Sequence, residues 1–441
     1  MADLNDGSSP TVKSSAAESF AENANAPDNS SKLIDRISHP VFIFAYLANL
    51  AVVTANAAMF MFADWVAWLA THGGSDIVYV EELPGRIVRE GLIAAICARV
   101  FLGMSIDRFG VRHVWLCMSL TALCGACVFG SLQELTWLVY VGRVCFAVGL
   151  AGMFTCSTFH MQDSVAEHRR TEFIALLGSS GFLGMILGSQ LAGFFRRSSG
   201  VNKEVYFANV FFAVTSLLLI YILLMWFATS DSVKPPKKTT RPTLLKLTWQ
   251  YWPGFVLFVA MTMGMMFTVT SLYLVRFNRH AGTGDIAVFW TTYAVAAFLF
   301  RMKTASLSHR IGRYRLITVG LVAQGLGIWA LIPVQEWWHL TFSAVICGLG
   351  HALLFPSIVS LGSGTFPPQY RGSGTNLTLG CFDLGGAVSA PLLGRIIDLP
   401  QFDGVGFRPM FFTAGLIPLI VATIWFATHR YSTDIEIRAK A

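Results

Sequence analysis

The sequence predicts an all-α membrane protein of twelve transmembrane helices in two pseudo-symmetric six-helix bundles, and three observations carry that prediction. First, 54% of the 441 residues are hydrophobic and only 13% charged, with a mean hydropathy of +0.57. A soluble domain carries about 25% charged residues, so most of this chain must face lipid. Second, stretches approaching the roughly 20 apolar residues that a membrane-crossing helix needs recur throughout the chain. Third, the chain repeats itself. Arg99, Arg108, Gly110, Arg169 and Gly184 recur 202 positions later as Arg301, Arg310, Gly312, Arg371 and Gly386. Soluble repeat proteins have periods of about 20–50 residues; a period of this length within apolar sequence indicates two fused membrane bundles.

Residues 1–39 are rich in Ser, Ala, Asn, Asp and Glu and lack the basic start and apolar core of a signal peptide. They are expected to form a disordered tail. Six spans follow near 41–70, 84–105, 112–132, 136–161, 171–195 and 205–229, making an N-terminal bundle over 40–229. The next stretch, 230–250, holds Lys234, Pro235, Pro236, Lys237, Lys238, Arg241 and Lys246, the composition of a hydrated linker. Six further spans near 252–277, 284–305, 314–334, 338–364, 373–397 and 408–428 give a C-terminal bundle over 251–428, with a tail over 429–441.

Basic residues in short loops orient membrane proteins toward the cytosol. With both termini cytosolic, the inner loops receive Arg108, Arg112, Arg169, Arg170, the linker lysines, Arg310, Arg313, Arg315 and Arg371. The outer side keeps Arg196, Arg197, Lys203, Arg276, Arg279, Arg395 and Arg408. A multi-pass protein of the plasma (inner) membrane is expected. The net charge of +7 then reflects loops beside anionic lipid rather than nucleic-acid binding. All eight cysteines fall within predicted spans and read as small apolar residues, not disulfides. Cys124 and Cys127 form a C-x-x-C, but it sits in mid-helix without a second ligand pair, so no metal and no cofactor is expected.

The segment between spans two and three, residues 103–112, reads Gly-Met-Ser-Ile-Asp-Arg-Phe-Gly-Val-Arg. Gly103 and Gly110 permit close approach and a tight turn. Asp107 suits the positive end of a helix, and Arg108 and Arg112 offer forked donors for carboxylates or carbonyls. The pattern G-x-x-x-D-R-x-G-x-R resembles the hallmark loop of the major facilitator superfamily. The second copy is degraded, with His309 in the place of Asp107, followed by Arg310, Gly312 and Arg313. Weaker resemblances lie in span four (Arg143 and Gly149), in the span-five glycines Gly178, Gly181, Gly184, Gly188 and Gly193, and in residues 366–386 around Arg371 and Asp383. Together they resemble bacterial efflux-type and metabolite-type members. The resemblance implies a conformational lock formed by Gly103, Asp107, Arg108, Gly110, Arg112, Arg310, Gly312 and Arg371.

Ionisable side chains within a span are costly and each needs a reason. Arg143 lies about two turns into span four, which lines the central cavity in the fold this chain resembles; it is a candidate for substrate or proton coupling. A structural Arg bonded to carbonyls is the competing reading. Arg99 and Asp383 stand at similar depth, roughly 12 Å and 15 Å from the ends of their helices at 1.5 Å per residue. In the fold this chain resembles, span two packs on span eleven across the halves. Arg99 and Asp383 either approach each other as part of a cytosolic-side lock or are each satisfied within their own half, and Asp383 is alternatively a proton acceptor. His351 lies between Gly350 and Pro356 in span ten, where a hinge and a proton-accepting group could coincide. Asn56, with Asn49, Thr54, Thr268 and Thr270, could line a cavity or bond between helices. Glu90, beside Arg86 and Arg89, is a candidate outer gate or a self-paired cluster.

Duplicated bundles of this kind bind substrate between the repeats and expose it alternately to each side. The expected function is therefore a secondary transporter of a metabolite or amphiphilic drug-like molecule, driven by protons. The sequence leaves import and export both open, with the span-five glycines and residues 382–385 leaning toward export. The expected partners are a small-molecule substrate, protons and the lipid bilayer, with the chain a monomer. No G-x-x-x-x-G-K-[ST] loop is present for ATP. The alternatives are a nitrate- or nitrite-type porter using Arg99 and Arg301, or a non-transporting receptor. An enzyme is not expected, because His160, His339 and His351 are scattered.

Overall fold

The computed structural model describes residues 40–72, 80–164, 170–229, 242–367, 370–402 and 405–429, without the side chains of 40–42, 107, 161–164, 170–177 and 303–310. Twelve long helical segments run through them. In the first half these are α1 (Pro40–Ala58, continued through a 3₁₀ turn at Met59–Met61 into Phe62–His72), α2 (Glu82–Phe109), α3 (Val111–Ser131), α4 (Leu138–Ser164), α5 (Arg170–Ser199) and α6 (Lys203–Ala228). In the second they are α7 (Val256–Thr268, a π segment Val269–Tyr273, then Leu274–Ala281), α8 (Ala287–Ile311), α9 (Arg313–Trp329), α10 (His339–Gly364), α11 (Arg371–Ile397) and α12 (Phe407–His429). No strand occurs among the described residues.

Packing reveals the duplication. In the first half α1 packs on α5 and α6, α2 on α4, and α3 on α4 and α6. Adding six to each label gives the contacts of the second half: α7 on α11 and α12, α8 on α10, and α9 on α10 and α12. The boundary between the halves obeys the same rule, since α2 packs on α11 while α8 packs on α5. Even the irregular turns correspond. The 3₁₀ turn of α1 and the π segment of α7 touch across that boundary. Such departures from α geometry cluster where helices bend around a site.

Among the described residues, eight helices are long and apolar enough to cross a membrane by length and composition. The others are α2, α5, α8 and α9. Three of these four form the boundary between the halves, where charged and small residues replace the lipid-facing apolar ones. The outward faces remain apolar: Phe212, Leu223, Phe194 and Leu392 are exposed on the bundle's perimeter, a surface suited to lipid rather than water. α6 is peripheral, with 33% of its apolar window buried, whereas α7 is central at 78%.

The expected hydrated linker needs one correction. Within 230–250, residues Leu244–Gln250 form a short helix that touches α2 and α11. Thr243 caps it, its hydroxyl accepting from the Lys246 N–H. Leu247 is buried beneath while Leu245 and Trp249 stay exposed, an amphipathic pattern that the lysines and prolines upstream conceal. This helix, the start of α1 and the end of α12 share one end of the bundle, the terminal face; the opposite end is called the distal face below.

Candidate functional site at the boundary between the halves

At the terminal face, the turn between α2 and α3 passes through Gly110 at φ +81°, and its repeat partner Gly312 takes φ +86°. A side chain at either position would strain the backbone, which accounts for the duplicated glycine. The remaining motif residues behave differently from expectation. A Cβ on Gly103 would meet nothing within 4 Å, so no close approach requires glycine there. Among the described residues Arg112 meets no carboxylate; its guanidinium lies 4.0 Å from the centre of the Trp226 ring, bracing α3 against the end of α6. Arg108 is exposed beside Phe109, and Arg371 is exposed at the start of α11. The side chains of Asp107, His309 and Arg310, and all of Arg169, lie outside the described residues.

Deeper in the bundle, Arg99 Nε donates to Asp383 Oδ2 at 2.9 Å, joining α2 to α11. Arg99 Nη1 also donates to Asn376 Oδ1 at 3.2 Å and to Thr155 Oγ1 at 3.3 Å. Asn376 returns the contact, its Nδ2 donating to the Arg99 carbonyl at 3.1 Å. Both partners are largely buried, with side-chain exposures of 7% for Arg99 and 15% for Asp383. A pair so placed must be well geometried to offset its desolvation, and here Asn376 and Thr155 supply further acceptors for the guanidinium. Neither was singled out from sequence, because a neutral Asn or Thr in a span carries no distinguishing signal.

On the opposite boundary, α5 meets α8 and α10. The guanidinium carbon of Arg301 stands 5.7 Å from the Phe182 ring and 5.8 Å from the Phe355 ring. His351 stacks on Phe355 with an interplanar angle of 14° and meets Phe182 and Tyr293 edge-on. Tyr293 Oη lies 2.7 Å from His351 Nδ1. Pro356, inside α10, removes the donor that would satisfy the Ala352 carbonyl and loosens the helix beside this cluster. In the first half Arg143 lies against Phe62, 5.1 Å from its ring centre, and its buried Nε has no hydrogen-bond partner.

The other polar candidates resolve more simply. Thr54, Thr268 and Thr270 donate to carbonyls of their own helices. Asn49 bonds to Ser180 on α5, between helices, whereas the three threonines turn to their own helices, which neither expectation named. Asn56 is partly buried on α1. Glu90 pairs with its neighbour Arg89, both half-buried, and Arg86 pairs with Glu82 one turn back. The Glu90 cluster is self-paired and does not join the halves.

The distal face is instead clasped by residues that sequence reasoning passed over. Asp64 on α1, almost fully buried, forms an ion pair with Arg279 Nε at 2.6 Å, not aligned as a hydrogen bond, and accepts from Arg276 Nη1 at 3.3 Å, both from α7. Arg276 Nε also donates to both carboxylate oxygens of Glu81 at 2.9 Å, and Arg395 of α11 reaches Glu82 at 3.2 Å. Arg197 of α5 pairs with Asp285 just before α8. Asp398 from the second half accepts the backbone N–H groups of Glu81 and Glu82 at 2.9 and 2.6 Å. One half thus caps the first turn of a helix in the other, placing a negative charge at the positive end of α2. Burial pushes the Asp398 carboxyl up to about 6, against the lowering effect of those two N–H donors. Burial also works on Glu81, but the nearby His280, 3.8 Å away, and the hydrogen bonds and charge of Arg276 outweigh it and hold that carboxyl below its ordinary range. Asp64 could have been found as a lone acid within a long apolar stretch.

Below this clasp lies a small cleft of about 20 Å³, room for about one water molecule. Phe60, Met61 and Trp290 line its apolar side, and Arg196, Arg279 and Asp285 its polar side. No group of His, Cys, Asp and Glu able to hold a metal occurs among the described residues.

The sequence profile described as Major Facilitator Superfamily matches residues 91–300 and 255–440. The chain belongs to that superfamily. Among its relatives, Multidrug resistance protein MdtG from Salmonella typhi and from Salmonella newport are each 23% identical over 368 residues, covering 78% of this chain and 85% of theirs. Among solved structures, an auto-inhibited POT family peptide transporter matches with a TM-score of 0.72 at 12% identity, covering 89% of this chain and 97% of that one. A D-xylose-proton symporter matches with a TM-score of 0.72 at 16% identity, covering 88% and 97%. At such identities the structural likeness speaks for the fold. Membership in the superfamily makes the chain a multi-pass membrane protein and a secondary transporter of small molecules, not an enzyme. The boundary between its halves is where a superfamily member of this architecture holds its substrate.

Proposed function

We propose that the protein moves a small metabolite or amphiphilic compound out of the cell by alternating access, driven by protons. The observation that carries this reading is the ionic clasp at the distal face. The two halves meet there through ion pairs and a helix cap, contacts that break and re-form without unfolding either bundle. Residues 40–229 and 251–428 then move as two bodies around their shared boundary, with both termini cytosolic in the inner membrane and the chain acting as a monomer. The similarity to drug-resistance relatives supports an amphiphilic substrate and the outward direction.

Asp383 is the proposed proton carrier. It is a carboxylate buried at the boundary, and its proton occupancy controls the pairing with Arg99. The nitrate-type alternative requires Arg99 and Arg301 to share one anion, but Arg99 already has Asp383, Asn376 and Thr155 as partners.

The test is uptake into proteoliposomes under an imposed pH gradient, using a panel of labelled amphiphiles and metabolites. Gradient-driven accumulation is expected in the wild type. In Asp383→Asn the driven uptake should vanish while solute exchange without a gradient persists. Equal accumulation with and without the gradient would overturn proton coupling, and no movement of any solute would overturn transport itself.

A further inference from the structure

Two guanidinium groups within the bundle, those of Arg143 and Arg301, have no carboxylate or hydrogen-bond partner among the described residues. The buried carboxylates are engaged elsewhere: Asp383 with Arg99, Asp64 with Arg276 and Arg279, Glu81 with Arg276, and Glu82 with Arg395. Among the described residues the charges left without counter-ions inside the boundary are therefore positive, and aromatic faces stand where those counter-ions would be expected. A cation–π contact offsets only part of the cost of withdrawing a guanidinium from water. A ligand that supplies the missing negative charge is favoured for the same reason that a buried cation normally has a paired anion.

Arg301 is the better placed of the two. Its neighbours Phe182, His351 and Phe355 are flat rings that contact one another, and Phe182 comes from the first half whereas the others come from the second. The Phe182 and Phe355 rings flank the guanidinium and leave its N–H donors unspent. Tyr293 holds His351 by its Nδ1; a phenol donating there leaves the ring proton on Nε2, a second donor beside the same rings.

We propose that this boundary binds small organic anions in which a carboxylate is joined to a flat apolar body. The carboxylate sits on Arg301 and the flat body lies among Phe182, His351 and Phe355. This rests on the transporter reading above and names its substrate class. A planar carboxylate meets a guanidinium through two parallel hydrogen bonds, and a flat body completes the ring cluster by offset or edge-to-face contacts. Because the rings come from both halves, such a ligand engages both bodies that must move.

The test compares 2-naphthoate, 2-naphthamide, 2-naphthylmethylammonium and nitrate for binding and thermal stabilisation of the purified full chain in nanodiscs. Naphthoate should bind about tenfold or more tightly than the amide, as expected for charge-assisted hydrogen bonds. It should likewise exceed the ammonium and nitrate. Arg301→Gln should erase the preference for naphthoate over naphthamide, and Phe355→Leu should weaken naphthoate severalfold while keeping that preference. Equal binding of the amide or the ammonium, nitrate binding as well as naphthoate, or naphthoate affinity unchanged in Arg301→Gln would each overturn the assignment. The comparison of ligands on the unsubstituted protein decides it even where a variant does not fold. Proteoliposome uptake separates the two claims. Transport of a cationic amphiphile, indifferent to Arg301→Gln, removes the anion assignment and leaves a transporter; specific naphthoate binding with no solute moved removes the transporter reading and leaves the site.

Discussion

Arg99 and Asp383, separated by 284 positions in the chain, meet at 2.9 Å between the second and eleventh helices and tie one half of the molecule to the other. The contact depends on both members, because each is buried where an unpaired charge is expensive. Asn376 makes the pairing specific to this arrangement, holding both the Arg99 side chain and its backbone carbonyl.

Removal of either partner alone should be worse than removal of both. Asp383→Asn or Arg99→Gln should lower the stability of the present arrangement by about 3–5 kcal/mol, the scale for stranding one member of a buried pair. The double variant should recover much of that loss. Thermal unfolding of the four proteins in nanodiscs forms the cycle; strictly additive single effects would show that the pair is not coupled.

The distal clasp should respond to Arg276→Gln. That change strips Glu81 of its bidentate partner and leaves Asp64 with Arg279 alone. The population with the distal face open should rise by about tenfold or more, given the size of buried ion-pair effects. A cysteine placed at Ser189, in the cleft below the clasp, should then react faster with a hydrophilic maleimide in a background lacking other reactive thiols. An unchanged rate would show that Arg276 does not hold the halves together.

The clasp should also depend on pH with a defined sign. Asp398 has its carboxyl raised to about 6 when the distal face is closed and returns toward an ordinary value near about 4 when the halves part. The closed form therefore binds a proton more tightly, and closure strengthens as pH falls from about 7 through 6. Glu81 acts oppositely: its carboxyl is held below the ordinary range, so its contribution is present at neutral pH and is lost only as pH falls through that lowered value. Labelling at position 189, divided at each pH by the rate of a fully exposed reference cysteine to remove the thiolate's own pH dependence, should slow between pH 7 and 5 with Asp398 present and lose that trend in Asp398→Asn. A trend surviving the substitution would assign it to another group.

Two glycines should fail differently. A Cβ at Gly85 would overlap the Ala390 carbonyl across the boundary between the halves, whereas one at Gly264 would overlap the Phe382 carbonyl within the second half. Gly85→Ala should shift the balance toward separated halves with unfolding little changed. Gly264→Ala should lower thermal stability, by about 1–3 kcal/mol for overpacking. Maleimide labelling and unfolding measured on both variants distinguish the outcomes, and identical behaviour would contradict the difference in location.

Much of this architecture was legible in the residues themselves. Hydrophobic stretches fixed where helices run, because backbone groups in lipid must be satisfied within each segment. The duplicated Gly110 and Gly312 announced their turns, since both require positive φ. Arg99 and Asp383 were legible as rare charges at matching depth, but whether they pair across the halves or are satisfied within each was decided only by the docking of the second helix on the eleventh. The roles of Arg108, Arg112 and Gly103 were not, since a motif records residue types and not what they touch; Arg112 rests on Trp226.

Sequence alone determined the helices, the repeat and the charges that must be satisfied, because these follow from local chemistry in a lipid solvent. Tertiary structure alone decided the partners. The distal clasp joins Asp64, Glu81 and Glu82 to Arg276, Arg279, Arg395 and Asp398, and the aromatic cradle of Arg301 draws on three helices. Contacts between residues hundreds of positions apart arise only when two separately folded halves dock. The docked surface, not any one segment, selects which charges meet and which guanidinium is left for a ligand.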